Sequence, residues 1–388
     1  MPWCRTGHYP PVWSRSLLTP DFRRAMTTIE TVEAVPGTSA SILAALWQAS
    51  LPSEQEIRRG RLRLQAKAAS IVITIAASYW VLVIADFALW ARVPAAAALV
   101  AALVATGTSI MHDANHGAFS SRRWINRVAS CSADFLGASS WLWRFKHNRL
   151  HHGNTNVDAF DSDIAQEPFA RLAPCQQWRP WHQWQHVYLW FLYGFFALKN
   201  VIFGDVRNLV DNRIGKQPLP ADMRRSTVVR LVVGKFVHIS WAVVVPMLFN
   251  PWWKVVLFYV TCSWLVGFAL AVVFQLAHCV DIAGFPDEGA GRRGADFLEH
   301  QLLTTVDIAS PMPVFGHAFR WMVGGLDHQI EHHMAPRLPH TVYPLVARRF
   351  HALCNDAGIS VRLHPGVWAA LCSHTRWLMD MGRRPLAA

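Results

Sequence analysis

Charge is scarce in this chain: only 16% of its 388 residues are Asp, Glu, Lys or Arg. A soluble domain of this length carries about a quarter. An ordinary water-soluble fold is therefore disfavoured, and with 52% hydrophobic residues a membrane protein is expected. Cysteine pairing is lacking too. Cys4, Cys131, Cys175, Cys262, Cys279, Cys354 and Cys372 are dispersed, odd in number and contain no CxxC. That excludes a disulfide framework and leaves free thiols in a reducing compartment or in lipid. A secretory signal is also missing, because residues 1–26 are interrupted by Arg, Pro and Asp and have no apolar centre. Met26 reads as an alternative start. No internal repeat is present.

The charge that exists is lopsided, with 37 Lys and Arg against 25 Asp and Glu, a net +12. Such a surplus can serve nucleic acid, but no Lys-rich arm is found. The basic residues instead flank apolar stretches, as cytoplasmic loops of a multispanning protein do. Nucleic acid is not expected as a partner. The 19 tryptophans agree, since Trp is enriched at membrane interfaces.

Residues 68–90 are almost wholly apolar and long enough to cross a hydrocarbon core about 30 Å thick. Residues 94–111 follow after a tight connection, so the two predict a helical hairpin. Two more candidates, 231–249 and 252–274, are joined by Asn250-Pro251, and Arg230 and Lys235 can snorkel to the surface. Residues 187–203 are apolar enough to suggest a fifth crossing. An Arg-rich helical pattern, Arg58, Arg59, Arg61 and Arg63, precedes the first span; a turn-rich stretch, 284–294, and a helix over 342–353 follow the last.

Histidine clusters sit beside these runs: His112-Asp-Ala-Asn-His116, His147-Asn-Arg-Leu-His151-His152 and Gln329-Ile-Glu-His332-His333. Neutral imidazole is a good ligand for iron, zinc, copper and nickel. His112 and His116 are four apart and share a helix face. Asp113 makes this HDxxH rather than the HExxH of zinc proteases. His151 and His152 point about 100° apart on a helix, as do His332 and His333, so each doublet suits two neighbouring metal atoms better than one. One doublet alone is as well explained by surface histidines; two doublets with an HxxxH are not. If all three clusters serve one site, 187–203 cannot cross the membrane, because a fifth span would put the third cluster on the opposite side. The expectation is four spans, with 187–203 lying in the interface or dipping in and returning.

The three clusters, their order and their placement resemble the integral-membrane fatty acid desaturases. Trp143-Arg-Phe-Lys-His-Asn-Arg-Leu-His-His-Gly-Asn-Thr-Asn156 is similar to the second histidine box of that family. Gly324-Gly-Leu-Asp-His-Gln-Ile-Glu-His-His-Met-Ala-Pro336 is similar to the third box of the subgroup in which Gln replaces the first histidine. The resemblance covers residues 68–345. It implies a non-haem di-iron centre that activates O2 and inserts a double bond into an acyl chain, with two electrons supplied from outside by a ferredoxin, or by cytochrome b5 with its reductase. It implies as ligands His112, His116, His147, His151, His152, His278, His332 and His333, with Gln329 at the variable position; His278 stands where the family has a histidine just after its fourth span. Some relatives place an amide ligand four residues before that histidine, where this chain has Phe274.

Asp113, Asp158, Asp161, Asp163 and Glu331 are candidates to accept the second N–H of a metal-bound histidine; a solvated acidic loop explains each equally well. His182, His186, His238, His300, His317, His328 and His340 match no box and read as structural or surface residues, with His328 the one worth testing beside Gln329. His364-Pro-Gly366 is faintly similar to the haem-binding HPGG of cytochrome b5 but lacks the second glycine, so no fused electron donor is expected.

The expected architecture is all-α and multispanning: about four transmembrane helices and a cytoplasmic helical cap holding a two-metal site. The expected division is a basic cytoplasmic segment over 1–67, a catalytic membrane domain over 68–345 and a cytoplasmic tail over 346–388. Both termini and the site would face the cytoplasm. The substrate would be an acyl-CoA, an acyl carrier protein conjugate or an acyl-lipid within the membrane. A membrane hydroxylase, ketolase or acetylenase is the sibling alternative. A multispanning zinc hydrolase or a metal or haem carrier is the alternative from a different class.

Overall fold

A computed structural model describes residues 39–220, 224–286, 295–309 and 315–385 of the chain. Met26, Cys4 and part of the stretch 284–294 lie outside the described residues. The described residues are overwhelmingly helical, with two pairs of two-residue strands: Arg213–Ile214 with Gln217–Pro218, and Asp307–Ile308 with Leu363–His364. The all-α expectation is met.

Four helical segments are long and apolar enough to cross a membrane: Glu54–Ile84, Leu89–His116, Thr227–Met247 and Trp252–His278. The first begins earlier and ends sooner than the run 68–90. Ser53 caps it through a reciprocal pair, its hydroxyl accepting the Glu56 N–H at 3.3 Å while Glu56 Oε2 accepts the Ser53 N–H at 2.7 Å. The Arg-rich stretch is therefore the entry of the first span. It continues the helix outside the hydrocarbon, where charge costs little. The helix stops at Ile84, and Asp86 with Arg92 closes the tight connection at 3.3 Å. The second and fourth spans run beyond their apolar stretches to His116 and His278, carrying both histidines on helix ends.

The spans display the chemistry of a lipid-facing surface. Ile73, Phe236 and Leu257 are more than half exposed, and Trp90 and Trp252 stand out at the starts of the second and fourth spans. This is an integral membrane protein.

The doubtful segment over 187–203 belongs to two helices, Pro180–Tyr193 and Phe195–Val210, bent by 73° at Gly194. Each arm is shorter than the roughly 20 residues a crossing needs. Gly194 permits close packing on the fourth span: a Cβ there would meet the Trp264 indole at 2.0 Å, and one at Gly267 would meet the Gly194 carbonyl oxygen at 2.5 Å. The bent pair packs against the fourth span at this glycine contact.

A helical cap covers one end. Helix Ser39–Ser50 packs Trp47 edge-on against Phe350 of helix Tyr343–Asp356, ring centroids 5.2 Å apart, over Ile330 and Met334 of helix Gln329–Met334. Helix Val367–Gly382 packs on the Pro180–Tyr193 arm, where Tyr193 donates its hydroxyl proton to His374 Nε2 at 2.8 Å.

Candidate metal centre

The first histidine pair leaves the second span through a π-helical segment, Thr106–Met111, before the turn His112–His116. A second π segment, Lys146–His151, carries the next set. Such segments insert a residue into the helical repeat and appear often at functional sites. Here they turn several imidazoles inward at once. Helix Gln329–Met334 is brought up beside them by Gly324 (φ +63°), where a Cβ would meet the Thr108 carbonyl oxygen at 2.4 Å. Asn156, in the left-handed conformation (φ 59°), closes the assembly by donating from Nδ2 to the His278 carbonyl at 2.9 Å and to the Gly284 carbonyl at 3.0 Å.

All eight box and late-span histidines converge and are buried. Ring centroids lie 4.4 Å apart for His112–His332, 4.8 Å for His116–His152, 4.7 Å for His151–His278 and 4.1 Å for His152–His333. Their ligating atoms form two principal groups, His112, His116, His147 and His332 in one and His151, His278 and His333 in the other. His152 sits between them with His332 and His333. Each doublet is thus divided or shared between two neighbouring points. Gln329 lies beside His278; its Nε2 donates to the Leu326 carbonyl at 3.0 Å while its buried Oε1 makes no hydrogen bond. Phe274 meets the edge of His147, centroids 5.9 Å apart, and supplies no ligand.

The residues fit a metal centre on two grounds. The Nε2 atoms of His112, His116, His151, His278, His332 and His333 are buried without a hydrogen-bond partner. A buried polar atom left so costs about 1–3 kcal/mol. Six of them cost about 6–18 kcal/mol, comparable with the roughly 5–15 kcal/mol that stabilises a whole protein. Metal coordination offsets that cost. Protonation state is the second ground: burial, reinforced by neighbouring histidines, pushes His147, His152, His332 and His333 well below the usual imidazole range. They are held neutral, the form that binds metal.

The outward nitrogens are tied down. His151 Nδ1 faces Asp161 at 3.1 Å, and Asp161 also accepts the Asn156 and Asp163 N–H groups at 2.9 Å. Burial alone would lower His151, but Asp161 and then Asp163 outweigh it and raise its proton affinity. Asp113 lies 3.5 Å from His112 Nδ1 and accepts the His340 N–H at 2.9 Å, with His340 Nδ1 at 3.0 Å. Three of the five proposed carboxylates therefore lie at the cluster: Asp113, Asp161 and Asp163, the last ion-paired with Lys146 at 2.7 Å. Two do not. Asp158 pairs with Lys216 and accepts from Gln176 at 2.6 Å, and Glu331 turns to the other side of its helix toward His351.

Sequence reasoning missed Gln301, Tyr343 and Thr304. His333 Nδ1 lies 2.9 Å from Gln301 Oε1, His332 Nδ1 lies 3.2 Å from the Tyr343 hydroxyl, and His278 Nδ1 faces the Thr304 carbonyl at 3.4 Å. Thr155, 3.2 Å from His333 Nδ1, belongs to the Thr-Asn that trails the second box, the one signal available for this layer. Of the histidines outside the boxes, His182, His238 and His340 are buried and hydrogen-bonded; His340 reaches the cluster through Asp113. His364 is buried in the strand pair with Asp307–Ile308.

A largely apolar cavity of about 520 Å³ opens at the cluster between His112, Trp143 and Phe274 and extends between the spans to Arg92, Asn250 and Lys254. Arg92 and His112 are 20 residues apart along one span, about 30 Å at 1.5 Å per residue. The cavity thus reaches from the metal cluster toward the far side of the membrane.

Comparison with known proteins agrees with this geometry. Residues 88–365 match the fatty acid desaturase family. The chain is 29% identical over 345 residues to an sn-1 linoleoyl-lipid 6-desaturase of Arthrospira platensis, covering 87% of this chain and 90% of that protein. It is 33% identical over 316 residues to an acyl-lipid (8-3)-desaturase of Physcomitrium patens, covering 79% and 62%. A third relative, an sn-1 linoleoyl-lipid 6-desaturase of Synechocystis sp., is 30% identical over 288 residues, covering 74% and 79%. The chain belongs to the fatty acid desaturase family and is an integral-membrane acyl desaturase.

Proposed function

We propose that the imidazole cluster holds two iron atoms and that the substrate is an acyl group carried on a membrane lipid. The observation that carries this reading is the convergence of unpartnered imidazole nitrogens at the mouth of a long apolar cavity. His112, His116, His147 and His332 would hold one iron, and His151, His278 and His333 the other, with His152 between them and Gln329 beside His278. Iron in such a site supplies the O2-derived oxidant that removes two hydrogens from adjacent carbons. Two electrons per turnover would come from a separate ferredoxin or cytochrome b5 system.

The chain's own residues do the remaining work. Asp161 holds the proton on His151 Nδ1 and so directs Nε2 inward, and Asp113 with His340 steadies His112. Trp143 stacks on His147, centroids 4.3 Å apart, and with Phe274 keeps water from the junction of cavity and cluster. The cavity walls hold the chain extended, and that positioning matters, because a displacement of about 1 Å can cost ~100-fold in rate. The relatives named above act on acyl lipids, and a lateral supply of chains from the bilayer suits a cavity walled by spans.

We place the cluster, both termini and the cap on the cytoplasmic face. Arg58, Arg59, Arg61 and Arg63 lie at the cluster end of the first span, whereas the connections at the other end carry few basic residues. Residues 68–345 form the catalytic domain in this reading, flanked by 1–67 and 346–388. Cysteine labelling after Asp205 and after Asp281 should report the cytoplasmic side for both; opposite sides would sink a single shared site. The chemical test is mass spectrometry of acyl lipids from an expressing host. A loss of two hydrogens is expected, and a gain of one oxygen would make the protein a hydroxylase.

A further inference from the structure

Behind helix Gln329–Met334 lies a second buried cluster that the desaturase site does not use. Asp307, of the two-residue strand Asp307–Ile308, is 1% exposed, Glu331 is fully buried, and His328 is 8% exposed. His351, on helix Tyr343–Asp356, closes the group. Asp307 Oδ1 accepts the Ile330 N–H at 2.9 Å, which aims Oδ2 at the histidines. His351 Nε2 lies 3.2 Å from Asp307 Oδ2 and 3.4 Å from Glu331 Oε1, and His328 Nδ1 lies 3.9 Å from Asp307 Oδ2.

The His351 approaches are ion pairs by distance, but none of the three has hydrogen-bond geometry. Asp307 Oδ2, both Glu331 oxygens, both His328 nitrogens and His351 Nε2 are all buried without a hydrogen-bond partner. Two adjacent buried carboxylates are costly to retain unless the charge is compensated. The separations suit another arrangement. Ligands bound to zinc at 2.0–2.1 Å in a tetrahedron stand about 3.3 Å apart. The 3.2 and 3.4 Å contacts match such edges, and the ligating atoms of Asp307, Glu331 and His351 all lie within 4.8 Å of one another.

We propose that Asp307, Glu331 and His351 bind one zinc-class divalent cation, separate from the imidazole cluster. The ion fastens strand Asp307–Ile308, helix Gln329–Met334 and helix Tyr343–Asp356 to one point. Those elements carry His332, His333 and the Tyr343 hydroxyl, so the site fixes the third histidine box from behind. The proposal does not depend on which metal occupies the imidazole cluster.

The test is metal analysis of the purified full-length protein in detergent, after incubation with zinc and desalting. One zinc per chain is expected in addition to the metal of the imidazole cluster. His351→Ala and Asp307→Asn should each lose that zinc and keep the other metal, while His147→Ala should lose the other metal and keep the zinc. Absence of zinc from the wild type overturns the proposal, as does zinc that disappears in His147→Ala but not in His351→Ala. Should the variants fail to fold, zinc X-ray absorption of the wild-type protein decides. One imidazole and two carboxylate ligands at 2.0–2.2 Å support the site, whereas a shell of four imidazoles overturns it.

Discussion

Helix Gln329–Met334 separates two buried polar regions that solve the same problem in opposite ways. On one side, His332 and His333 join six other histidines, with Asp163 the one carboxylate among the described residues that groups with them, beside His147 and His151. On the other, His351 stands between Glu331 and Asp307, and His328 approaches Asp307. Burial lowers the proton affinity of His332 and His333, so these rings are neutral and keep a free lone pair at Nε2. Burial does the reverse to a carboxyl: with the adjacent Asp307 it pushes Glu331 upward. A neutral imidazole can wait in the interior for a metal with nothing bonded to it except at its outer nitrogen. A buried carboxylate needs a cation. The difference accounts for the proposed iron centre being built mainly from histidine, with carboxylates one layer out at Asp113 and Asp161.

The comparison breaks most readily on the imidazole side. His152→Ala and His333→Ala should reduce product to background and lower the iron content, because each removes a ring at the junction of the two groups. Lipid mass spectrometry paired with metal analysis checks both. Activity retained in His333→Ala would detach the cluster from the chemistry. One layer out, Asp161→Asn should cost about 10–100-fold in metal affinity or turnover, since an amide cannot hold the His151 proton as a carboxylate does. His340→Gln, which loosens Asp113, should fall in the same range. This revises the expectation that His340 is merely structural.

On the carboxylate side the order of effects inverts. His351→Ala leaves Asp307 and Glu331 facing each other. Breaking a buried ionic group by removing one partner costs about 3–5 kcal/mol, which the partial exposure of His351 reduces. The melting temperature in detergent should therefore fall, and the turnover of the protein that stays folded should change little. A large turnover loss at an unchanged melting temperature would place this cluster in the reaction. The smallest effect belongs to His186→Ala: that ring stands beside Trp184, centroids 6.5 Å apart, away from both regions, and neither iron nor product should change.

How much of this could be read beforehand followed the range of the interactions. The boxes are local, and their i, i+4 and doublet spacings already implied two neighbouring metal points. Hydropathy located the four spans, yet misjudged where the first begins, because the Arg-rich stretch is polar and still helical from Ser53 onward. Parity argues that 187–203 dips and returns, and the structure adds a 73° bend at Gly194, packed on Trp264. Gln301, Tyr343 and His351 were invisible because each acts on a partner from a different element, with no spacing to betray it. Asp158 and Glu331 were misplaced for the same reason: nearness in sequence to a box does not decide which side of a loop or helix a carboxylate takes.

Iron stoichiometry in active, purified enzyme tests the central claim most directly. The account predicts close to two iron atoms per chain with an imidazole-dominated X-ray absorption shell, both lost together with acyl desaturation in His152→Ala. Active enzyme that carries stoichiometric zinc and no iron in the imidazole cluster, and that turns over without O2, would contradict it.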